Sequence, residues 1–145
     1  AIPPGMLGKD LLVNAQTGSG KTAAFLLPVL ERLLYRPRRI PVIRVVCVTP
    51  TRELAQQIVD MGTKLAKHTD IRICLVVGGL SMNVQASQLR TRPDVIIATP
   101  GRLIDHLLNT PTFDLDSLQV LILDEADRLL DMGFQHELQE LVQMC

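Results

Sequence analysis

The stretch Ala15-Gln16-Thr17-Gly18-Ser19-Gly20-Lys21-Thr22 fits the form G-x-x-x-x-G-K-[ST], with Ala in place of the first Gly, and constrains the fold more than any other part of the chain. Gly18 and Gly20 can take backbone angles closed to other residues, so successive N–H groups can turn inward around phosphate oxygens. A helix starting near Lys21 adds its positive N-terminal end, Lys21 a mobile charge, and the Thr22 hydroxyl a ligand for Mg²⁺. The context agrees: Leu11-Leu12-Val13 reads as a strand entering this loop, and Thr22 to Leu34 as a helix leaving it. A Gly-Ser loop that matches by accident is the competing reading, and the flanking pattern counts against it.

Five apolar runs stand out: Leu11 to Val13, Val45 to Val48, Ile73 to Val77, Val95 to Ala98 and Val120 to Leu123. They are continuous rather than alternating and rich in Val and Ile, which suits strands covered on both faces. Helical stretches lie between them, so the order is β-α-β-α and the fold class is α/β, with a mainly parallel sheet. The first helix is apolar almost all round from Ala23 to Leu34, and Pro28 inside it predicts a kink. The second, Glu53 to about His68, sets Leu54, Ile58, Met61 and Leu65 on one face. Shorter helices are expected from Met82 to about Leu89, from Gly101 to Leu108, and in the closing segment, where Gly133 separates two pieces.

Thr49-Pro50-Thr51-Arg52 and Thr99-Pro100-Gly101-Arg102 form a small repeat, each following a strand and opening a helix. In each, Thr can cap, Pro suits the first helical position, and Arg stands in the first turn. A cation there opposes the helix dipole, so something else should hold it. Two readings stand side by side: a backbone phosphate lying across both helix ends, or ordinary helix starts whose arginines pair with nearby acids.

The chain of 145 residues is one domain by length. It has no Trp and one Tyr, which excludes recognition of single strands by aromatic stacking and leaves the backbone as the point of contact. Net charge is zero, but Arg36, Arg38, Arg39, Arg44 and Arg52 follow one another without an acid, while the last third is acid-rich. A nucleic-acid face and a solvated basic loop both fit this asymmetry. Cys47 and Cys74 fall in apolar runs with no C-x-x-C spacing, which suits buried free thiols in a reducing compartment. His68, His106 and His136 are scattered and read as surface residues. With no signal peptide and no membrane-length apolar segment, the chain reads as soluble and intracellular.

Val120-Leu121-Ile122-Leu123-Asp124-Glu125 is an apolar strand ending in two acids. In a parallel sheet its carboxyl end shares an edge with the phosphate loop. Asp124 would hold Mg²⁺ through water and Glu125 would orient or activate the attacking water. The bland reading is a strand running into a helix with acids in its first turn; the upstream phosphate loop favours the functional one.

At these residues a family becomes visible. Asp124-Glu125-Ala126-Asp127, Ala15 to Thr22, Pro50-Thr51-Arg52-Glu53-Leu54-Ala55, Gly78-Gly79 and Thr99-Pro100-Gly101-Arg102 resemble the motifs of the first RecA-like domain of DEAD-box RNA helicases, over essentially the whole chain. The resemblance implies a P-loop, RecA-like sheet with helices on both faces that binds ATP and Mg²⁺ through Gln16, Thr17, Gly18, Ser19, Gly20, Lys21 and Thr22. It implies that Lys21, Asp124 and Glu125 serve catalysis, that Thr22 and Asp124 serve the metal, and that Thr51, Arg52, Gly79, Thr99, Gly101 and Arg102 grip the RNA backbone. Asp127 would couple the nucleotide site to a downstream Ser-Ala-Thr motif, which this sequence lacks.

Also missing are the adenine-reading Gln expected before Ala1 and, past Cys145, the second RecA-like domain with its arginines. Residues 1–145 are therefore expected to be a domain truncated at both ends, with negligible turnover alone, from a monomeric parent that couples ATP hydrolysis to RNA unwinding or to remodelling of RNA–protein complexes. The Arg-rich loop and Leu103-Ile104-Asp105-His106-Leu107 are similar to those of nucleolar members that act in large ribosomal subunit assembly, implying a nuclear or nucleolar setting. Two other classes compete: a P-loop ATPase acting on a protein partner, and a non-catalytic RNA-binding module, against which Lys21, Asp124 and Glu125 argue.

Overall fold

The apolar runs become strands where both of their faces can be covered. The computed structural model describes residues 20–145, and the expected strand Leu11–Val13 and the loop residues Gln16, Thr17, Gly18 and Ser19 lie outside the described residues. Strands β1 (Val45–Val48), β2 (Ile73–Val76), β3 (Val95–Ala98) and β4 (Val120–Leu123) form one parallel sheet in the order β2-β3-β1-β4. Val45 lies opposite both Val95 and Val120, and Val48 opposite Ala98 and Leu123.

The helices are α1 (Lys21–Leu34), α2 (Arg52–Leu65), α3 (Met82–Arg90), α4 (Pro100–Asn109), α5 (Ala126–Asp131) and α6 (Gln135–Met144). Because strand side chains alternate, the sheet divides into two dry layers. Val45, Cys47, Val95 and Ile97 pack with Leu26, Leu30 and Leu33 of α1 and Ala55 and Ile58 of α2. On the other side, Val46, Val48, Ile96 and Ala98 pack with Leu89, Leu103, Leu129, Leu138 and Leu141 of α3 to α6. Helices thus cover both faces. Pro28 is buried within α1, and Gly133 stands between α5 and α6.

Helix α2 buries a face rotated from the one expected, with Ile58 common to both. Its buried residues are Ala55, Ile58 and Gly62, whereas Met61 is 40% and Leu65 39% exposed. Close approach explains this: a Cβ on Gly62 would stand 2.9 Å from Cδ1 of Ile73. Small residues let the helix settle on β2, and the large apolar ones are turned to the flank.

The basic run is also corrected. Arg36 and Arg44 are held at the amino ends of the strands, Arg38 and Arg39 stay exposed in the loop, and Arg52 lies at the opposite edge beside Gly79. Arg36 Nε lies 2.8 Å from Asp94 Oδ1, Arg44 Nη1 3.7 Å from the same oxygen, and Arg36 Nη2 3.2 Å from Asp70. Arg38 also reaches Asp70, at 3.5 Å. Asp94 Oδ2 accepts from the Arg72 amide at 2.9 Å, and its carbonyl accepts from Arg44 and Val45 amides, so this one residue joins the starts of β1, β2 and β3.

Cys47 and Cys74 are buried and free, as expected, and Cys145 is exposed. Burial pushes the Cys74 thiol up to about 11.

Replacing Asp94 by Ala leaves buried Arg44 without a carboxylate and Arg36 with only the exposed Asp70. We expect Asp94→Ala to cost about 3–5 kcal/mol of stability, read as a lowered midpoint in urea unfolding. A loss within the range of an exposed substitution would show that the joint contributes nothing.

Candidate functional site

All four strands deliver their carboxyl ends to one edge, and two groups of side chains assemble there. The first spans α1 and β4. Gly20, at φ 79°, turns the chain into α1 and accepts from the Ala24 amide at 3.0 Å. Glycine takes that left-handed angle without the strain a side chain would bring. Lys21 then opens the helix, with Nζ 3.3 Å from Asp124 Oδ1 and 3.6 Å from Glu125 Oε1. Thr22, the next residue, is half-buried.

Adjacent residues of a strand point to opposite faces, so two consecutive acids would not ordinarily meet one cation. Glu125 breaks that alternation with a left-handed backbone, φ 55° and ψ 47°, and it starts α5 directly. Both carboxylates are thereby brought onto Lys21. Asp124 is buried, with its amide donating to the Val48 carbonyl at 2.9 Å, whereas Asp127, in the first turn of α5, is exposed.

Hard oxygens at Asp124 and Thr22 fit Mg²⁺, which binds through one or two carboxylates and completes its shell with water and phosphate oxygens. Among the described residues no group of three or more His, Cys, Asp or Glu could hold a metal ion.

The second group gathers around the turn after β2. Gly79 is at φ 81°, and the Arg52 guanidinium lies where a Cβ would stand on it. Arg102 Nη1 donates to the Leu80 carbonyl at 2.6 Å and to Gln85 Oε1 at 3.0 Å. The helix starts of α2 and α4 are thus both tied to Gly78–Leu80. Among the described residues neither arginine pairs with an acid, and Arg102 is held by neutral oxygens instead.

The two helix starts are not in the same register, however. Thr51, not Thr49, caps α2, its Oγ1 accepting from the Leu54 amide at 3.2 Å, and Arg52 is the first helical residue. In α4, Thr99 is the cap, Pro100 is first, Gly101 is exposed and Arg102 comes third. Thr49 is instead buried, its hydroxyl without a partner among the described residues.

Two residues behind this group escaped the sequence reading. His106, expected at the surface, is fully buried. Its Nδ1 is 2.7 Å from Thr110 Oγ1 and its Nε2 3.0 Å from Gln85 Oε1. Gln85 is buried too, its Nε2 donating to the Val77 carbonyl at 2.8 Å. The spacing of His106 from Leu103, on one face of α4, was a signal for burial. His68 and His136 are exposed, as expected.

With this geometry in hand, the comparisons with known proteins are decisive. A family model described as DEAD/DEAH box helicase matches residues 1–145. The chain belongs to the DEAD/DEAH box helicase family. It is 62% identical over 141 residues to the ATP-dependent RNA helicase drs1 of Sclerotinia sclerotiorum, covering 97% of this chain and 18% of that protein. It is 61% identical to DEAD-box ATP-dependent RNA helicase 28 of Oryza sativa subsp. japonica, covering 99% of this chain and 18% of that one. Among solved structures it resembles the yeast DEAD-box splicing factor Prp28, with a TM-score of 0.90 and 33% identity over 99% of this chain and 35% of that one. The chain therefore spans 18% of the length of these curated relatives. The fold of this DEAD/DEAH box helicase chain is the RecA-like one, as the motifs implied. Among its described residues no helix is long and apolar enough to cross a membrane.

In this helicase domain the His106 pKa is held below its ordinary 6.5 by burial and by the Arg102 charge, with Asp105 opposing. The unfolded chain therefore takes up the proton first. Stability supported by neutral His106 is complete above about pH 6.5 and is lost as pH falls below it. We expect the urea midpoint to drop between about pH 7.5 and about pH 5.5, and to drop less in His106→Gln, which carries no titrating ring. Equal pH slopes for the two proteins would remove His106 from this account.

Proposed function

We propose that this chain is the nucleotide-binding, RNA-gripping domain of an ATP-dependent RNA helicase. The observation that carries the proposal is the convergence of Lys21 on Asp124 and Glu125 at the sheet edge that also holds Arg52 and Arg102.

The roles follow from the chemistry. An incoming triphosphate competes with two carboxylates for Lys21, which exchanges an acid partner for phosphate oxygens. Gln16 to Gly20 wrap the phosphates with backbone N–H groups. Thr22 and Asp124 hold Mg²⁺, which when bound neutralises phosphate charge. Glu125, freed from Lys21, faces the water that attacks the terminal phosphorus. Asp127 relays the state of this site to the rest of the protein. Thr51, Arg52, Gly79, Thr99, Gly101 and Arg102 supply N–H groups and guanidinium charge to the RNA backbone, without reading bases.

Hydrolysis coupled to strand separation needs a second RecA-like domain to close over nucleotide and RNA, and the small share of the relatives covered by this chain leaves room for one. Resemblance of the Arg36–Pro41 and Leu103–Leu107 segments to nucleolar ribosome-assembly members supports a nucleolar setting.

On the natural full-length protein, Glu125→Gln should lower RNA-stimulated ATP turnover on the order of 10²-fold or more while leaving ATP affinity intact. Unchanged turnover removes Glu125 from the mechanism. Arg102→Ala should weaken RNA binding roughly tenfold and leave ADP binding unchanged. Binding RNA and DNA of equal length separates the RNA reading from an ATPase that acts on protein, which would bind neither strongly.

A further inference from the structure

Arg102 stands in the first turn of α4, where a cation opposes the helix dipole, yet its partners are neutral. Both of its hydrogen bonds leave from Nη1. Among the described residues, Nε and Nη2 make none, so one edge of the guanidinium remains open for a bidentate contact with an anion.

What fixes that orientation lies underneath. Gln85 is 2% exposed and His106 0% exposed. Gln85 Nε2 is spent on the Val77 carbonyl, so Oε1 is the atom that faces Arg102 and His106, and both must donate to it. That assigns the proton of His106 to Nε2 and leaves Nδ1 to accept from the Thr110 hydroxyl at 2.7 Å. The result is a directed chain in which Thr110 donates to His106, His106 to Gln85, and Arg102 to Gln85 from the other side. Rotating the Gln85 amide would break its bonds to Arg102, His106 and Val77 together, and burial makes each unmade bond costly. Gln85 is therefore locked, and with it Nη1 of Arg102. The Val77 bond ties the same lock to the turn that carries Gly79.

Resting on the RNA-binding reading of Arg102, we propose that Gln85 and His106 are positioning residues for RNA: they hold Nη1 so that the open edge of Arg102 meets a backbone phosphate, and they set RNA affinity without touching the ligand.

The test uses the natural full-length protein and a single-stranded RNA oligonucleotide, with ADP affinity and thermal midpoint measured in parallel. His106→Leu keeps bulk but removes both bonds, and should weaken RNA binding about tenfold with ADP affinity unchanged. His106→Gln, whose amide N–H can reach the place of Nε2, should restore binding to within about twofold, whatever its thermal midpoint. In an Arg102→Ala background, His106→Leu should cause no further loss, because its effect runs through that arginine. Should His106→Leu fail to fold, Gln85→Met carries the same expectations. If Arg102→Ala weakens RNA binding but His106→Leu or Gln85→Met does not, or if the losses add independently, the positioning role is overturned while the RNA site stands. RNA affinity unmoved by Arg102→Ala overturns the RNA site itself.

Discussion

Every strand in this sheet runs the same way, and β1 is hydrogen-bonded on both sides. From that pairing the rest follows. Parallel neighbours need crossovers, the crossovers here pass through helices, and those helices cover both faces. Buried on both sides, β1 and β3 have no room for functional side chains. Chemistry is displaced to the ends, and the carboxyl end gathers four short connections: Thr49 to Thr51, Val77 to Leu80, Thr99, and Asp124 to Glu125.

The two ends solve their electrostatics differently. At the amino end, buried arginines meet buried or partly exposed carboxylates, and Asp94 distributes its oxygens over the starts of three strands. Those charges are satisfied internally and serve cohesion. At the carboxyl end a single ammonium serves two carboxylates, while Arg52 and Arg102 rest against glycine and neutral carbonyl oxygens. A surplus of acid around Lys21 suits a divalent cation, and acid-free arginines suit a polyanion. The sheet order separates these two demands, with β4 on one flank and β2 on the other.

What could be read from the sequence divides along a physical line. Val45–Val48 and Val95–Ala98 were legible to the residue, since burial on both faces leaves an uninterrupted apolar run and polar residues mark its ends, and Val120–Leu123 showed the same run although it is less buried. The convergence of Lys21 with Asp124 was legible because parallel topology alone puts both on one edge. Partnerships between distant residues were not. Arg36 and Asp94 are 58 positions apart, and nothing local distinguishes an arginine bound for a buried pair from one bound for solvent. The face of α2 was misread because apolarity was taken as the guide, whereas the distance to β2 is set by Ala55 and Gly62. The Thr-Pro repeat misled in another way: two similar tetrapeptides begin their helices two residues apart, since either threonine of Thr49-Pro50-Thr51 can cap and only tertiary context chooses.

Glu125 shows how far the site departs from what stability alone would select. A side-chain-bearing residue in the left-handed region costs roughly 1–2 kcal/mol relative to an ordinary helical conformation, and Glu125 sits there at φ 55°. Glycine would relieve that cost, and asparagine would bear it more easily, but neither carries a carboxylate. An extended backbone at this position would relieve it as well, yet would turn the second acid to the opposite face of β4, away from Lys21. The strained turn is therefore the geometry that presents two consecutive carboxylates to Lys21, and the α5 start that follows holds it through the 2.9 Å bond from the Leu129 amide to the Glu125 carbonyl. Arg92 and Thr112 share the left-handed region, so what distinguishes Glu125 is that its turn brings a second carboxylate onto Lys21, with the buried Leu129 supplying the packing that keeps it in place.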